Sequence, residues 1–107
     1  MKIFVLGPTD GIDGGNEKAH ADAAISLVKA GYGAMYWREL PESPTRTGSA
    51  NMMREAVSMI LDECEGLALL PGWEHDQTAL RIRGICIDIG FPPIDTVDGW
   101  IEKGGNR

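Results

Sequence analysis

The chain has 107 residues, 43% of them apolar, and its 16 acidic and 10 basic side chains give a formal net charge of -6. This length predicts a single domain over residues 1–107 with one hydrophobic core. The acidic balance argues against binding of a nucleic-acid polymer, no apolar run is long enough to cross a bilayer, and the first residues do not resemble a signal peptide, so we expect a cytoplasmic protein without membrane partners.

The first third of the chain predicts a strand, a helix and a second strand. Residues 3–6 form a continuous apolar run, typical of a strand buried on both faces, and a glycine-rich loop over residues 7–15 follows it. Asn16 is the expected N-cap of a helix that runs to about residue 30 and buries Ala24, Leu27 and Val28. A second strand is expected at residues 34–37, before a mobile polar loop at residues 38–48.

The middle of the chain contains its clearest helical pattern. Ser49 is the expected cap of a second helix, whose apolar residues recur at steps of three and one: Met53, Ala56, Val57, Ile60, Leu61 and Cys64. A third buried strand is predicted at residues 67–70, where Pro71-Gly72 ends it.

The last third predicts one more helix and a short strand. Asp76 is the expected cap of a third helix, with Gly90 at its end and an inward stripe of Ala79, Ile82, Cys86 and Ile89. A fourth strand follows at residues 94–97. From residue 98 the chain is expected to form a tail with an exposed Trp100.

Alternation of strands and helices predicts the fold class. We expect a three-layer, flavodoxin- or Rossmann-like α/β domain, with a parallel sheet of four to five strands and helices on both faces. Ligands in such folds bind beyond the carboxyl ends of the strands, where the strand order reverses. The loops at residues 7–15 and 71–76 should leave neighbouring central strands and frame the site.

The residue types in these loops point to binding rather than to metal or nucleophile chemistry. Backbone N–H groups of the glycine-rich loop suit an anion, although a plain flexible connection is the competing interpretation. Trp73 suits stacking on a flat ring, with Glu74 beside it, although packing of Trp73 on its own helix is equally consistent. No His or Cys pair has metal-ligand spacing, so we expect no metal and no cofactor, and Cys64 and Cys86 are expected to be reduced core residues.

Two segments resemble the nucleoside 2-deoxyribosyltransferase superfamily, in particular a small branch from phages and bacteria. The first is the run Lys-Ile-Phe-Val-Leu-Gly-Pro-Thr-Asp-Gly at residues 2–11, followed by an asparagine at position 16. The second is Cys-Glu-Gly-Leu-Ala-Leu-Leu-Pro-Gly-Trp-Glu at residues 64–74, in which Leu-Pro-Gly-Trp-Glu is the specific part. The likeness extends in order over nearly the whole chain.

The resemblance implies a site for nucleosides or nucleotides whose reactive group has been lost. Members of the superfamily cleave or exchange N-glycosidic bonds with a glutamate on the third helix, and this chain has Ile82 at that position. The serine that holds the sugar or its 5′-phosphate corresponds to Asp76. An isoleucine has no lone pair with which to attack an anomeric carbon, so the usual double-displacement mechanism is not possible at this position.

Three functional hypotheses follow, of which the first is favoured. It is non-catalytic binding of a nucleotide or nucleoside-derived ligand, for instance as a phage anti-defence protein that sequesters a nucleotide signal in the bacterial host cytoplasm. The second is an N-glycosidase or transferase that uses Glu74 or Asp10 instead, and the third is a scaffold protein. The resemblance also implies a homodimer or larger homo-oligomer, with Trp100 as a candidate interface residue. No catalytic residue is assigned, and the expected ligand-binding residues are Gly7, Pro8, Thr9, Asp10, Gly11, Trp73, Glu74, Asp76 and Arg81.

Overall fold

A computed structural model describes residues 1–9, 11–40 and 48–104; for residues 48–52 it describes the backbone only. Four strands alternate with four helices: β1 (Lys2–Leu6), α1 (Glu17–Lys29), β2 (Gly33–Met35), α2 (Gly48–Glu63), β3 (Gly66–Leu69), α3 (Gln77–Ile89), β4 (Ile94–Thr96) and α4 (Val97–Lys103). Three short 3₁₀ turns, at Asp13–Asn16, Trp37–Glu39 and Trp73–His75, lie in the connections.

All strand pairs in this sheet are parallel, and the strand order is β2-β1-β3-β4. In the register Phe4 lies beside both Met35 and Leu67, which places β1 and β3 at the centre. The chain therefore has the predicted flavodoxin-like α/β fold, with four strands.

The two faces of the sheet support separate apolar cores, because successive strand side chains point to opposite faces. Phe4 and Leu6 of β1 pack with α2 and α3, in what we call the α2/α3 core. Ile3 and Val5 pack with α1 and α4 in the α1/α4 core. Helices thus cover both faces, and the continuous apolar run of β1 follows from burial on each side.

The first helix begins at the predicted position but in a different way. Asn16 has a left-handed backbone with φ 59°, and its side chain makes no capping hydrogen bond. Leu27 is buried, but the prediction that Val28 is buried was wrong, since it is 56% exposed. The inward stripe of α1 comprises His20, Ala23 and Leu27, and Val28 lies about 100° around the helix from Leu27.

The segment after α1 differs from the prediction at its boundaries. β2 ends at Met35 rather than at Trp37, which instead starts a 3₁₀ turn. Of the predicted loop, residues 41–47 lie outside the described part of the chain. Helix α2 begins at Gly48, so the proposed cap Ser49 lies inside it. Of its predicted inward face, Ala56 and Ile60 are buried, as is Cys64 just after the helix, whereas Met53, Val57 and Leu61 are half-buried.

The third helix follows the prediction at its start and departs from it at its end. Asp76 is the N-cap, and Gly90 ends the helix with φ 80°. The prediction that Ile89 is buried was wrong, because this residue is 55% exposed. Ile89 is the last residue of the 13-residue helix, next to its C-cap Gly90, so it lies at the end of the stripe rather than in its middle.

The C-terminal segment is the main correction to the sequence analysis. In place of a tail it forms α4, and Trp100 is only 4% exposed. The indole Nε1 of Trp100 donates to the Leu67 carbonyl at 2.9 Å, and the Tyr32 hydroxyl donates to the Trp100 carbonyl at 2.7 Å. Trp100 is thus part of the α1/α4 core and not an interface residue, while the oligomeric state stays a prediction.

Both cysteines, Cys64 and Cys86, are buried and free, as expected. Burial raises the pKa of the Cys64 thiol to about 11 and also raises the pKa of Cys86. Within residues 1–9, 11–40 and 48–104, no helix combines the length and apolar character needed to cross a membrane. The same residues contain no group of three or more His, Cys, Asp and Glu side chains that could hold a metal ion.

Candidate functional site

The two loops singled out by the sequence meet at the centre of the sheet edge. From β1 the chain continues to β2 on one side, and from β3 to β4 on the other, so the strand order reverses between β1 and β3. The carboxyl ends of these two strands are therefore the expected position for a ligand in this fold. The prediction that both loops leave neighbouring central strands is confirmed.

Close packing joins the two loops at this point. A Cβ atom added to Gly7 would lie 2.6 Å from the Cβ of Leu70, so only glycine fits there. Gly72, with φ 93°, approaches the ring of Pro8, to whose Cγ an added Cβ would be 3.4 Å. Gly7, Pro8 and Gly72 thus bring the glycine-rich loop and the Leu-Pro-Gly-Trp-Glu segment into contact.

Asp76 links this pair of loops to α3. Its Oδ1 accepts a hydrogen bond from the Thr9 backbone N–H at 3.0 Å, and its Oδ2 accepts one from the Ala79 N–H at 2.9 Å. The Asp76 side chain is 3% exposed, and its negative charge lies at the positive end of the helix dipole. The carboxylate therefore caps α3 and holds the glycine-rich loop at the same time.

His20 is a buried polar residue near the site whose contribution sequence reasoning missed. It is 1% exposed, and its Nδ1 lies 2.9 Å from the Asn16 carbonyl oxygen, which can only accept. Burial lowers the pKa of the imidazole, although hydrogen bonds to the Asn16 and Gly7 backbone and the charge of Asp76 oppose that effect. Its burial could have been predicted from the sequence, because His20 lies on the inward stripe of α1 with Ala23 and Leu27.

Trp73 is half-buried at the start of the 3₁₀ turn that follows β3 and packs against the α2/α3 core. The guanidinium carbon of Arg83 lies 4.6 Å from the centroid of the Trp73 ring, a cation–π contact. The buried Nε of Arg83 has no hydrogen-bond partner among the described residues. Contact with Arg83 of α3 and with the α2/α3 core thus accounts for part of the Trp73 surface, and the ring also borders the cleft described next.

A cleft of about 480 Å³ opens beside Trp73, between the ends of β3 and β4 and the start of α4. Its described wall consists of Leu69, Leu70, Pro71, Gly72, Trp73, Glu74, Thr96, Val97 and Asp98. Sequence reasoning missed the last three because it placed Thr96 and Val97 at the end of a strand and Asp98 at the start of a tail. Thr96 is the N-cap of α4 and accepts from the Gly99 N–H at 2.9 Å, a capping signal that the sequence contains.

The predicted binding residues are thus distributed over the sheet edge. Trp73 and Glu74 line the cleft, whereas Gly7, Pro8 and Thr9 lie on the neighbouring loop and Asp76 is buried behind it. Gly11 is exposed with φ 71°, and Arg81 is exposed on α3. The prediction for Asp10 falls outside the described residues.

Ile82 is fully buried in the α2/α3 core, at 0% exposure. At this position the resemblance places a catalytic glutamate, and the residue present is part of the apolar packing. The side chain can neither attack nor exchange a proton with a ligand. Two carboxylates, Glu74 and Asp98, are the ionisable groups that the described wall of the cleft does contain.

Fold and cleft together define a flavodoxin-like α/β domain with an aromatic, acid-lined cleft at the carboxyl edge of its sheet. Residues 1–88 match the family model described as Domain of unknown function (DUF4406), so the chain belongs to this family. Neither the curated proteins nor the solved structures contain a match to the chain.

Proposed function

We propose that this protein binds a nucleoside- or nucleotide-derived small molecule without transforming it, in the cleft beside Trp73. The cleft is the observation that carries the proposal. Its volume of about 480 Å³ falls within the range of small-molecule sites, and its wall is mainly apolar with a few polar groups. A nucleobase would stack on the part of the Trp73 ring that borders the cleft, while Glu74 and Asp98 would accept hydrogen bonds from ribose hydroxyls.

Absence of turnover rests on Ile82. In the superfamily that the chain resembles, the nucleophile projects from the third helix, and here that helix presents a buried isoleucine instead. Retaining glycosidases need two carboxyl groups on opposite sides of the scissile bond. Glu74 and Asp98 share one cleft, so N-glycoside cleavage by this pair is the second candidate function.

Isothermal titration calorimetry tests the binding proposal, with a panel of nucleosides, mononucleotides, cyclic nucleotides and ADP-ribose derivatives. We expect at least one of them to bind to the wild type and not to Trp73→Ala, whose fold is checked by circular dichroism. Phe91→Ala is the matched control, because Phe91 is a partly exposed aromatic residue that follows α3, at the opposite end of that helix from the site. A panel without any binder contradicts the proposal.

Chromatography of the same mixtures separates the two candidate functions. Binding alone predicts that every ligand is recovered intact after prolonged incubation. Release of free base that stops in Glu74→Gln would instead establish the glycosidase.

A further inference from the structure

The N-terminus of α3 already has an anionic group bound to it, the side-chain carboxylate of Asp76. Helix N-termini and glycine-rich loops bind phosphate through free backbone N–H groups. Here the Asp76 carboxylate accepts from the Thr9 N–H of the glycine-rich loop and from the Ala79 N–H of the helix. Two of the backbone donors at which a phosphate could bind are therefore engaged by a buried carboxylate.

The cleft next to this point carries charge of the same sign. Its described wall contributes the carboxylates of Glu74 and Asp98 and no basic side chain. Arg83 of α3 stacks on the ring of Trp73, a wall residue. A phosphate in the cleft would lie on the same wall as these two exposed carboxylates, and like charges repel each other, most strongly at low ionic strength.

We infer that the ligand of this cleft is an uncharged, hydroxyl-bearing nucleoside, and that its phosphorylated forms are rejected. This inference rests on the proposed function and narrows its ligand class. Ionised carboxylates are pure acceptors, and the hydroxyl and amino groups of a nucleoside are donors. A 5′-phosphate replaces one of those donors with an anion.

Calorimetry on matched pairs tests the inference: adenosine and AMP, guanosine and GMP, cytidine and CMP, thymidine and TMP, all at low ionic strength. We expect the nucleoside that binds best to bind at least about tenfold more tightly than its own 5′-monophosphate. Added salt should reduce this ratio, since it screens charge repulsion. A monophosphate that binds equally or more tightly overturns the inference but leaves the proposed function standing, whereas failure of every pair and of the wider panel overturns both.

A charge-removal variant locates the origin of the selectivity. In the double variant Glu74→Gln/Asp98→Asn we expect the nucleoside-to-monophosphate ratio to fall at least about threefold. Asp88→Asn is the control, because Asp88 is exposed near the far end of α3, about 18 Å along the helix from Asp76. If the double variant leaves the ratio at the value found for Asp88→Asn, the carboxylates of the cleft do not exclude phosphate and the inference is wrong.

Discussion

Replacement of Asp76 by alanine tests how the glycine-rich loop is held to the rest of the domain. The substitution removes the N-cap of α3, which costs about 1 kcal/mol, and a charge-assisted hydrogen bond to the Thr9 N–H, which costs about 2 kcal/mol. We therefore expect Asp76→Ala to lower the free energy of unfolding by about 3 kcal/mol. This is a large share of the 5–15 kcal/mol typical of a small domain.

Urea denaturation followed by circular dichroism measures this loss, provided that the denaturant slope stays constant. Asp76→Ser should cost about 2 kcal/mol, since serine retains the cap of α3 but not the carboxylate. Thr96→Ala is the matched control: it removes the single cap bond of α4 and should cost about 1 kcal/mol. If Asp76→Ala costs no more than Thr96→Ala, Asp76 does not fasten the loop and the reasoning is refuted.

Three further predictions concern buried groups. Because burial lowers the pKa of His20, the folded state binds fewer protons than the unfolded state as the pH falls below 6.5. Stability should therefore decrease there by at most about 1.4 kcal/mol per pH unit. His20→Gln should remove this component from urea titrations between about pH 5.5 and about pH 7.5, the range in which histidine titrates. Cys64 and Cys86 should resist a thiol reagent in the folded protein and react on unfolding, as absorbance can follow. Gly7→Ala should destabilise more than Gly84→Ala in urea, because an added Cβ meets Leu70 at position 7 but has open space and an ordinary backbone conformation at position 84.

Each of these predictions has a result that contradicts it. The pH dependence of stability attributed to His20 should remain in the control variant His75→Gln, because His75 is exposed. If both variants lose it equally, it does not arise from burial of His20. Rapid labelling of either thiol in the native protein would mean that the cores open easily. Equal costs for the two glycine variants would show that the contact between Gly7 and Leu70 relaxes readily.

The order of elements was predictable because it depends on local patterns. The continuous apolar run of β1 and the 3,1,3 steps of α2 each reflect burial that the sequence records directly. Burial at Val28 and Ile89 was mispredicted because it depends on which faces and which ends of a helix are covered by neighbouring elements, a property of the assembled fold. Trp100 could have been placed correctly, since Val97, Trp100 and Ile101 follow helical spacing.

The candidate site was predictable in part for the same reason. Trp73 and Glu74 follow a buried strand, and the edge of a parallel sheet brings such residues together. Thr96 and Asp98 complete the cleft only because β4 pairs with β3. The paired residues, such as Leu67 and Ile94, are 27 positions apart in the sequence. The role of Asp76 as an internal anion depends on its burial, which no sequence spacing specifies.

The central claim is that the cleft beside Trp73 is the binding site, and an NMR titration tests it most directly. Amide shifts of ¹⁵N-labelled protein are recorded while an equimolar mixture of the common nucleosides is added. The account predicts shifts concentrated at residues 69–74 and 96–98, which form the wall of the cleft. An unchanged spectrum, or shifts concentrated away from these two segments, would contradict it.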